Sequence, residues 1–402
     1  MDKEKPAIEG GKPVRKEYLP YGLHWIGEDD ATFVGRSLLS SWITGGPAID
    51  EFEAALAKYL GCKHVVLVNS GTAALEVAVK AATTPGKKII TTPFTFVASA
   101  NSILYNNSTP IFADIEAPTF NISPAEIINQ ISKHRELDAI LPVHFAGQPC
   151  KMDEMSAIAR EHGLKVIDDA AHALGAEYNG KKIGSGSLGT EATCFSFHPV
   201  KHITTGEGGA IATNNEEIAH KAKLLRNHGI DKSAQQRHGV SAGYEYDMIE
   251  LGRNFRVTDF QARLGIAQLK NLDDFIKRRS EIAKFYLKEM ADIPQLIVPH
   301  VEPNVKHAWH IFVIKLVLDK LKVGRDHIFK ALKAENIGVN VHYIPVYRHT
   351  YYKKLGYTAK LTPVTEKVFE SIITLPIFPK MTHQDEEDVV AAVKKILNYY
   401  KK

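Results

Sequence analysis

Short runs of β-branched and aliphatic residues recur through the first half of the chain, each followed by a stretch with helical spacing. The runs at 65–68, 88–91, 111–113, 139–142 and 165–167 are apolar almost throughout, as strands buried on both faces must be. Helical patterns at 73–82, 96–105, 124–132 and 152–162 separate them, and another at 49–59 precedes the first. This alternation predicts an α/β fold with a mostly parallel central sheet. From Glu216 the chain becomes more helical, and Thr258 to about Met290 reads as one long amphipathic spine. After Asp292-Ile293-Pro294 the pattern changes. A strand is expected over 309–318, a helix over 326–334, a strand over 338–342, and helices over 366–372 and 385–399, which together make a small α+β unit. The expected division is an arm over 1–45, a large domain over 46–290 that includes the linking helix, and a small domain over 291–402. The arm is rich in Gly, Pro and charge, and is expected to wrap another surface such as a partner subunit.

Composition narrows the classes. At 402 residues the chain can bury a full core. A net charge of +4 with no Lys/Arg-rich stripe argues against a nucleic-acid partner. No stretch of about 18 apolar residues is present, and the start has no apolar core of a signal peptide, so neither membrane insertion nor export is expected. Cys62, Cys150 and Cys194 are scattered without C-x-x-C spacing, which fits a reducing cytoplasm.

The candidate chemistry falls just after the predicted strands, where open α/β sheets bind ligands. Asn69-Ser70-Gly71-Thr72 follows a strand and opens a helix, so its backbone N–H groups and dipole could receive an anion. Read alone, it is equally an ordinary capped turn. Asp168-Asp169 ends an apolar strand and offers a buried carboxylate, with helix capping or metal binding as the other readings. No histidine or aspartate cluster completes a metal site, and none is expected. His172 could face the same side or be a structural histidine, and Phe96 could stack on a planar ring or belong to the core. Lys201 sits in a loop of small, polar and glycine residues between two apolar runs, with Ser196 before it and Gly206-Glu207-Gly208-Gly209 after it. A fixed lysine beside a buried carboxylate is how pyridoxal phosphate is held. A lysine in a glycine-rich loop can also be purely structural.

Seven blocks occur in order: N-S-G-T-A-A-L (69–75), P-F-T-F-V-A-S (93–99), P-V-H-F-A-G-Q-P (142–149), I-D-D-A-A-H-A-L-G-A (167–176), S-F-H-P-V-K-H-I-T-T-G-E-G-G (196–209), G-R-N-F-R-V-T-D-F-Q-A (252–262) and V-H-Y-I-P (341–345). In these blocks the chain resembles the fold-type-I, pyridoxal-phosphate-dependent sugar aminotransferases of the DegT/StrS family, over nearly its whole length. The resemblance implies that Lys201 forms the Schiff base with the cofactor and that Asp169, directly before Ala170-Ala171, partners the pyridine nitrogen. It places His172 beside the ring, where the family often has glutamine, and Phe96 against the ring face. Gly71, Thr72 and Ser196 match phosphate-binding positions. Asn254 matches an asparagine that reaches the phosphate from a neighbouring subunit, which implies a homodimer with shared active sites. His342 and Tyr343 match positions near the sugar. Arg253 departs from the family's usual tyrosine.

A subset of the family carries histidine in place of the lysine and dehydrates sugars, so Lys201 points to transamination. The S-F-H-P-V-K form is similar to members that aminate C4 of a UDP-linked 4-keto-6-deoxy-hexose with L-glutamate as donor, for glycan or surface-polysaccharide sugars. The alternatives are amination of another keto-sugar or keto-inositol, a cofactor-retaining dehydratase, and a non-catalytic relative that binds the cofactor for regulation.

Overall fold

The computed structural model describes residues 4–233, 236–237 and 244–402; residues 1–3 of the expected arm lie outside it. The predicted alternation is present. Helices α1 (Glu28–Ser37), α2 (Pro47–Leu60), α3 (Gly71–Ala82), α4 (Val97–Tyr105), α5 (Pro124–Lys133), α6 (Met152–His162) and α7 (Glu216–Arg226) alternate with strands β1 (His64–Val68), β2 (Lys88–Thr91), β3 (Thr109–Phe112), β4 (Leu137–Leu141) and β5 (Lys165–Asp169). A short hairpin, β6 (Glu177–Tyr178) and β7 (Lys181–Lys182), follows, then β8 (Ala192–Ser196) and β9 (Gly209–Thr213).

Seven strands form one sheet in the order β1-β9-β8-β5-β4-β2-β3. All neighbours run parallel except β9, which is antiparallel to both β1 and β8. One face packs Phe52, Leu56, Ile127 and Met155 from α2, α5 and α6. The other packs Ala74, Val77, Ile103 and Ile218 from α3, α4 and α7. Burial on both faces is why the strands carry apolar side chains in unbroken runs. Because β9 is reversed, its first residue lies at the edge where β1, β5 and β8 end. The loop 197–208 that joins β8 to β9, and carries Lys201, crosses that same edge.

A second core gathers Phe312, Ile314, Ile328, Ile373, Val389 and Ile396. Its three-stranded antiparallel sheet has Phe312–Leu316 between Leu296–Ile297 and Ile372–Leu375. The helix Leu272–Met290 belongs to both cores: Leu272, Phe275 and Ile276 enter the first, and Ile282, Tyr286 and Met290 the second. The spine is two helices rather than one, because Asp259–Lys270 closes at Asn271 (φ −97°, ψ −2°) before Leu272–Met290 begins.

Three other expectations are corrected. Residues 338–342 form no strand and touch a sheet only through the Asn340–Thr374 bridge. The helix expected over 366–372 is Pro363–Phe369, and Ile372–Leu375 is a strand. The strand expected over 309–318 is confined to Phe312–Leu316.

The arm packs on its own chain. The Ala7 and Val14 amides donate to the two oxygens of Glu335, each at 2.8 Å. Lys395 Nζ bonds Glu335 Oε2 at 3.1 Å and the Lys12 carbonyl at 2.6 Å. Leu19 enters the second core, and its carbonyl accepts from the Gly338 amide at 2.7 Å. A Cβ on Gly338 would stand 2.5 Å from that oxygen, so only glycine lets the arm cross here. No helix among the described residues is long and apolar enough to cross a membrane.

Candidate active site

The strand ends converge on a cavity of about 790 Å³, walled by both cores and by Tyr21 of the arm. Ser70 caps α3 by accepting from the Ala73 amide at 3.0 Å, which leaves the other first-turn amides facing the cavity. A Cβ on Gly71 would lie 2.7 Å from Ser196 Cβ, and one on Gly209 would lie 2.4 Å from the Ser70 carbonyl. The end of β8, the start of β9 and the start of α3 therefore close on one another, with glycine where a side chain would block the wall. Gly71, Thr72 and Ser196 all line it.

Asp169 lies on the cavity floor, 5% exposed. Its Oδ2 accepts from Ser99 Oγ at 2.6 Å and its Oδ1 from the Ala171 amide at 3.1 Å. Burial raises its pKa, while the Ser99 and Ala171 hydrogen bonds and the nearby Lys201 pull the other way. Asp168 does not line the cavity. It accepts from Thr193 Oγ1 at 3.2 Å and lies 3.6 Å from His144 Nε2, so the strand's alternation gives only Asp169 to the site.

Lys201 reaches the cavity from the β8–β9 loop, and its Nζ is 3.3 Å from His310 Nε2. Burial lowers its pKa to about 8; Asp169 opposes the shift and Arg279 adds to it. His172 Nε2 and Tyr343 Oη are 2.9 Å apart. His172 Nδ1 is buried without a partner among the described residues. Burial holds His172, His202 and His310 well below the usual imidazole range and His342 at about 3, so the amine is ringed by neutral imidazoles. Phe96 is 57% exposed and forms a flank of the cavity, its ring 6.1 Å from that of Tyr343. His342 lines the wall with Nδ1 tied to Thr374 Oγ1 at 2.9 Å.

Nine of the ten expected site residues thus share one cavity; Asn254 does not. It is exposed, and its carbonyl is 3.5 Å from Asn69 Nδ2. Sequence reasoning missed Ser99, His310 and Tyr21. Ser99 stands in the quoted P-F-T-F-V-A-S block, three residues after Phe96 and so on the same side of α4, a spacing that could have flagged it. His310 is the second residue of a run read as an ordinary strand, and Tyr21 lies in an arm without periodicity.

The residues fit pyridoxal phosphate. The glycine-lined pocket at the start of α3 suits a phosphate, the buried carboxylate suits a pyridinium, and an amine of lowered proton affinity suits a carbonyl.

The chain matches the DegT/DnrJ/EryC1/StrS aminotransferase family over residues 25–394. It is 42% identical to the spore coat polysaccharide biosynthesis protein SpsC of Bacillus subtilis, covering 95% of this chain and 98% of that protein. It is 37% identical to the UDP-4-amino-4,6-dideoxy-N-acetyl-β-L-altrosamine transaminase of Campylobacter jejuni, covering 96% and 99%. The sugar aminotransferase Spr1654 of Streptococcus pneumoniae, solved in its PLP form, superposes with a TM-score of 0.86 at 28% identity, covering 95% and 99%.

Proposed function

Since the chain belongs to the DegT/DnrJ/EryC1/StrS family of pyridoxal-phosphate-dependent sugar aminotransferases, we propose that it moves an amino group from L-glutamate to the 4-keto carbon of a UDP-linked 4-keto-6-deoxy sugar. The observation that carries this reading is the pairing, in one cavity, of the Lys201 amine with the buried Asp169 carboxylate. Amination of a UDP-linked sugar is supported by the activity named for the Campylobacter jejuni relative and by the S-F-H-P-V-K block. When bound, pyridoxal phosphate supplies the electron sink that makes a proton on the amine-bearing carbon acidic.

The chain's residues supply the rest. Asp169 holds a negative charge where a protonated ring nitrogen would meet it, and Ser99 and the Ala171 amide keep that charge oriented. Gly71, Thr72, Ser196 and the α3 terminus hold the phosphate. Phe96 and His172 confine the ring, with Tyr343 fixing His172. Lys201 anchors the cofactor and, once displaced, takes a proton from the donor's α-carbon; with the keto-sugar it runs the transfer in reverse. An amine with pKa about 8 serves both directions near neutral pH. His342 and Tyr343 stand where the sugar would lie, and Asn254 completes the phosphate site of a second copy in a homodimer.

The purified protein should absorb as a lysine-bound cofactor, lose that band on adding glutamate, and pass labelled nitrogen to one member of a panel of UDP-, GDP- and dTDP-4-keto sugars. The Lys201→Ala variant should show neither the band nor transfer above about a ten-thousandth of wild type. Transfer at the wild-type rate in that variant would remove Lys201 from the mechanism.

A further inference from the structure

The side-chain hydrogen bond of the Lys201 amine among the described residues is to His310 Nε2, at 3.3 Å. Asp169 acts on the amine only through space. A lysine side chain has four rotatable bonds, so an unheld amine would scatter through a cavity of about 790 Å³. Misplacing a reacting group by about 1 Å costs on the order of a hundredfold in rate. A carboxylate would hold the amine firmly but keep it protonated, whereas a neutral imidazole accepts a hydrogen bond without adding charge.

The main chain of His310 is fixed on both sides. Its amide donates to the Ala146 carbonyl at 2.9 Å. Its carbonyl accepts from Arg279 Nη1 at 3.1 Å, and the same nitrogen holds the carbonyls of Trp309 and Ile377 at 3.2 and 2.9 Å. Arg279 is 1% exposed and ties the chain on both sides of the site. The His310 ring is wedged between His172, with centroids 4.3 Å apart, and His202, at 5.6 Å. His202 cannot turn to compete for the amine, because its Nε2–H donates to the Ala308 carbonyl at 3.0 Å.

We propose that His310 is a positioning residue for the transamination, holding Lys201 Nζ in line for proton transfer whenever that amine is free. This rests on the reading of Lys201 as the proton-carrying lysine. Its own side chain exchanges no proton with substrate; it acts through Lys201.

Two measurements test it. In cofactor-free protein labelled with ¹⁵N-histidine, the His310 imidazole signals, assigned by their loss in His310→Gln, should move when Lys201 is replaced by Met. Signals unmoved by Lys201→Met would show that no such bond exists in solution and overturn the proposal. In the holoenzyme, the amino-donor half-reaction is followed with L-glutamate carrying hydrogen or deuterium at Cα. His310→Phe should bind the cofactor normally, slow the step about ten- to a hundredfold, and raise the isotope effect with little change in KM. His310→Gln, whose amide oxygen can stand where Nε2 does, should recover most of the rate. Equal rates in wild type and His310→Phe, or no recovery in His310→Gln, would overturn the proposal. A wild-type enzyme inert to glutamate would instead sink the assigned donor, and the imidazole signals would still decide the role of His310.

Discussion

Lys201 is a lysine in surroundings that disfavour its cation, and this has a thermodynamic signature separate from catalysis. Burial holds the folded-state pKa at about 8, below the ordinary 10.5. In the unfolded chain the amine is ordinary, so between about pH 8 and pH 10.5 the unfolded state binds more protons. Stability of the cofactor-free protein from this group therefore rises with pH across that window, and the penalty is complete below about pH 8. Lys201→Met should melt above wild type at pH 7, with the gap closing by pH 10.5. A gap independent of pH in parallel melting curves would show that protonation of Lys201 is not its cause. This residue was legible because its loop has no use for a lone apolar-flanked lysine, and Asp169 because it ends a buried strand. His310 was not, since a histidine near the start of an alternating run differs in no local property from one in a core.

The elements that shape the phosphate end of the cavity meet with no slack. Gly71→Ala would drive a methyl against Ser196 Cβ, 2.7 Å away. Overpacking of this kind costs about 1–3 kcal/mol, and here it would also push β8 off the start of α3. Gly71→Ala should lower the melting temperature and weaken cofactor retention, and Ser196→Gly in the same chain should restore part of the stability by removing the opposing atom. Additive losses in the double variant, measured by denaturant unfolding, would show that the two positions do not press on each other. Parallel strands were easy to read because helices intervene between them. The reversal of β9 was not, for its Gly-Ala-Ile-Ala-Thr is as apolar as its neighbours and direction leaves no mark on composition. The break at Asn271 escaped notice because the apolar spacing continues across it. Residues 338–342 read as a strand by composition, yet the arm crossing at Gly338 takes the amide that a sheet partner would need.

At the scale of the molecule, the arm is the least expected feature. Glu335 is fully buried and takes two arm amides as well as Lys395, itself 8% exposed. Glu335→Gln would take away the buried carboxylate that pairs with Lys395 and leave that cation only the exposed Glu4 carboxylate at 3.4 Å, at a cost of up to about 3–5 kcal/mol. The arm should loosen, trypsin should cut faster at Arg15 and Lys16, and the sugar KM should rise as Tyr21 leaves the cavity wall. An unchanged cleavage rate and melting temperature would mean that the arm is held elsewhere. Tyr21 reaches that wall because its carbonyl accepts from the Ile377 amide at 3.2 Å and its ring meets that of His342 at 5.6 Å. The polar contacts that tie the first twenty or so residues to the rest of the chain run to segments from 327 to 400. During synthesis on the ribosome the arm leaves the tunnel first but finds its dock only when the last helix has followed. Until then the sugar side of the cavity lacks a wall, so a nascent chain could hold the cofactor's binding strands in place well before it could grip a sugar.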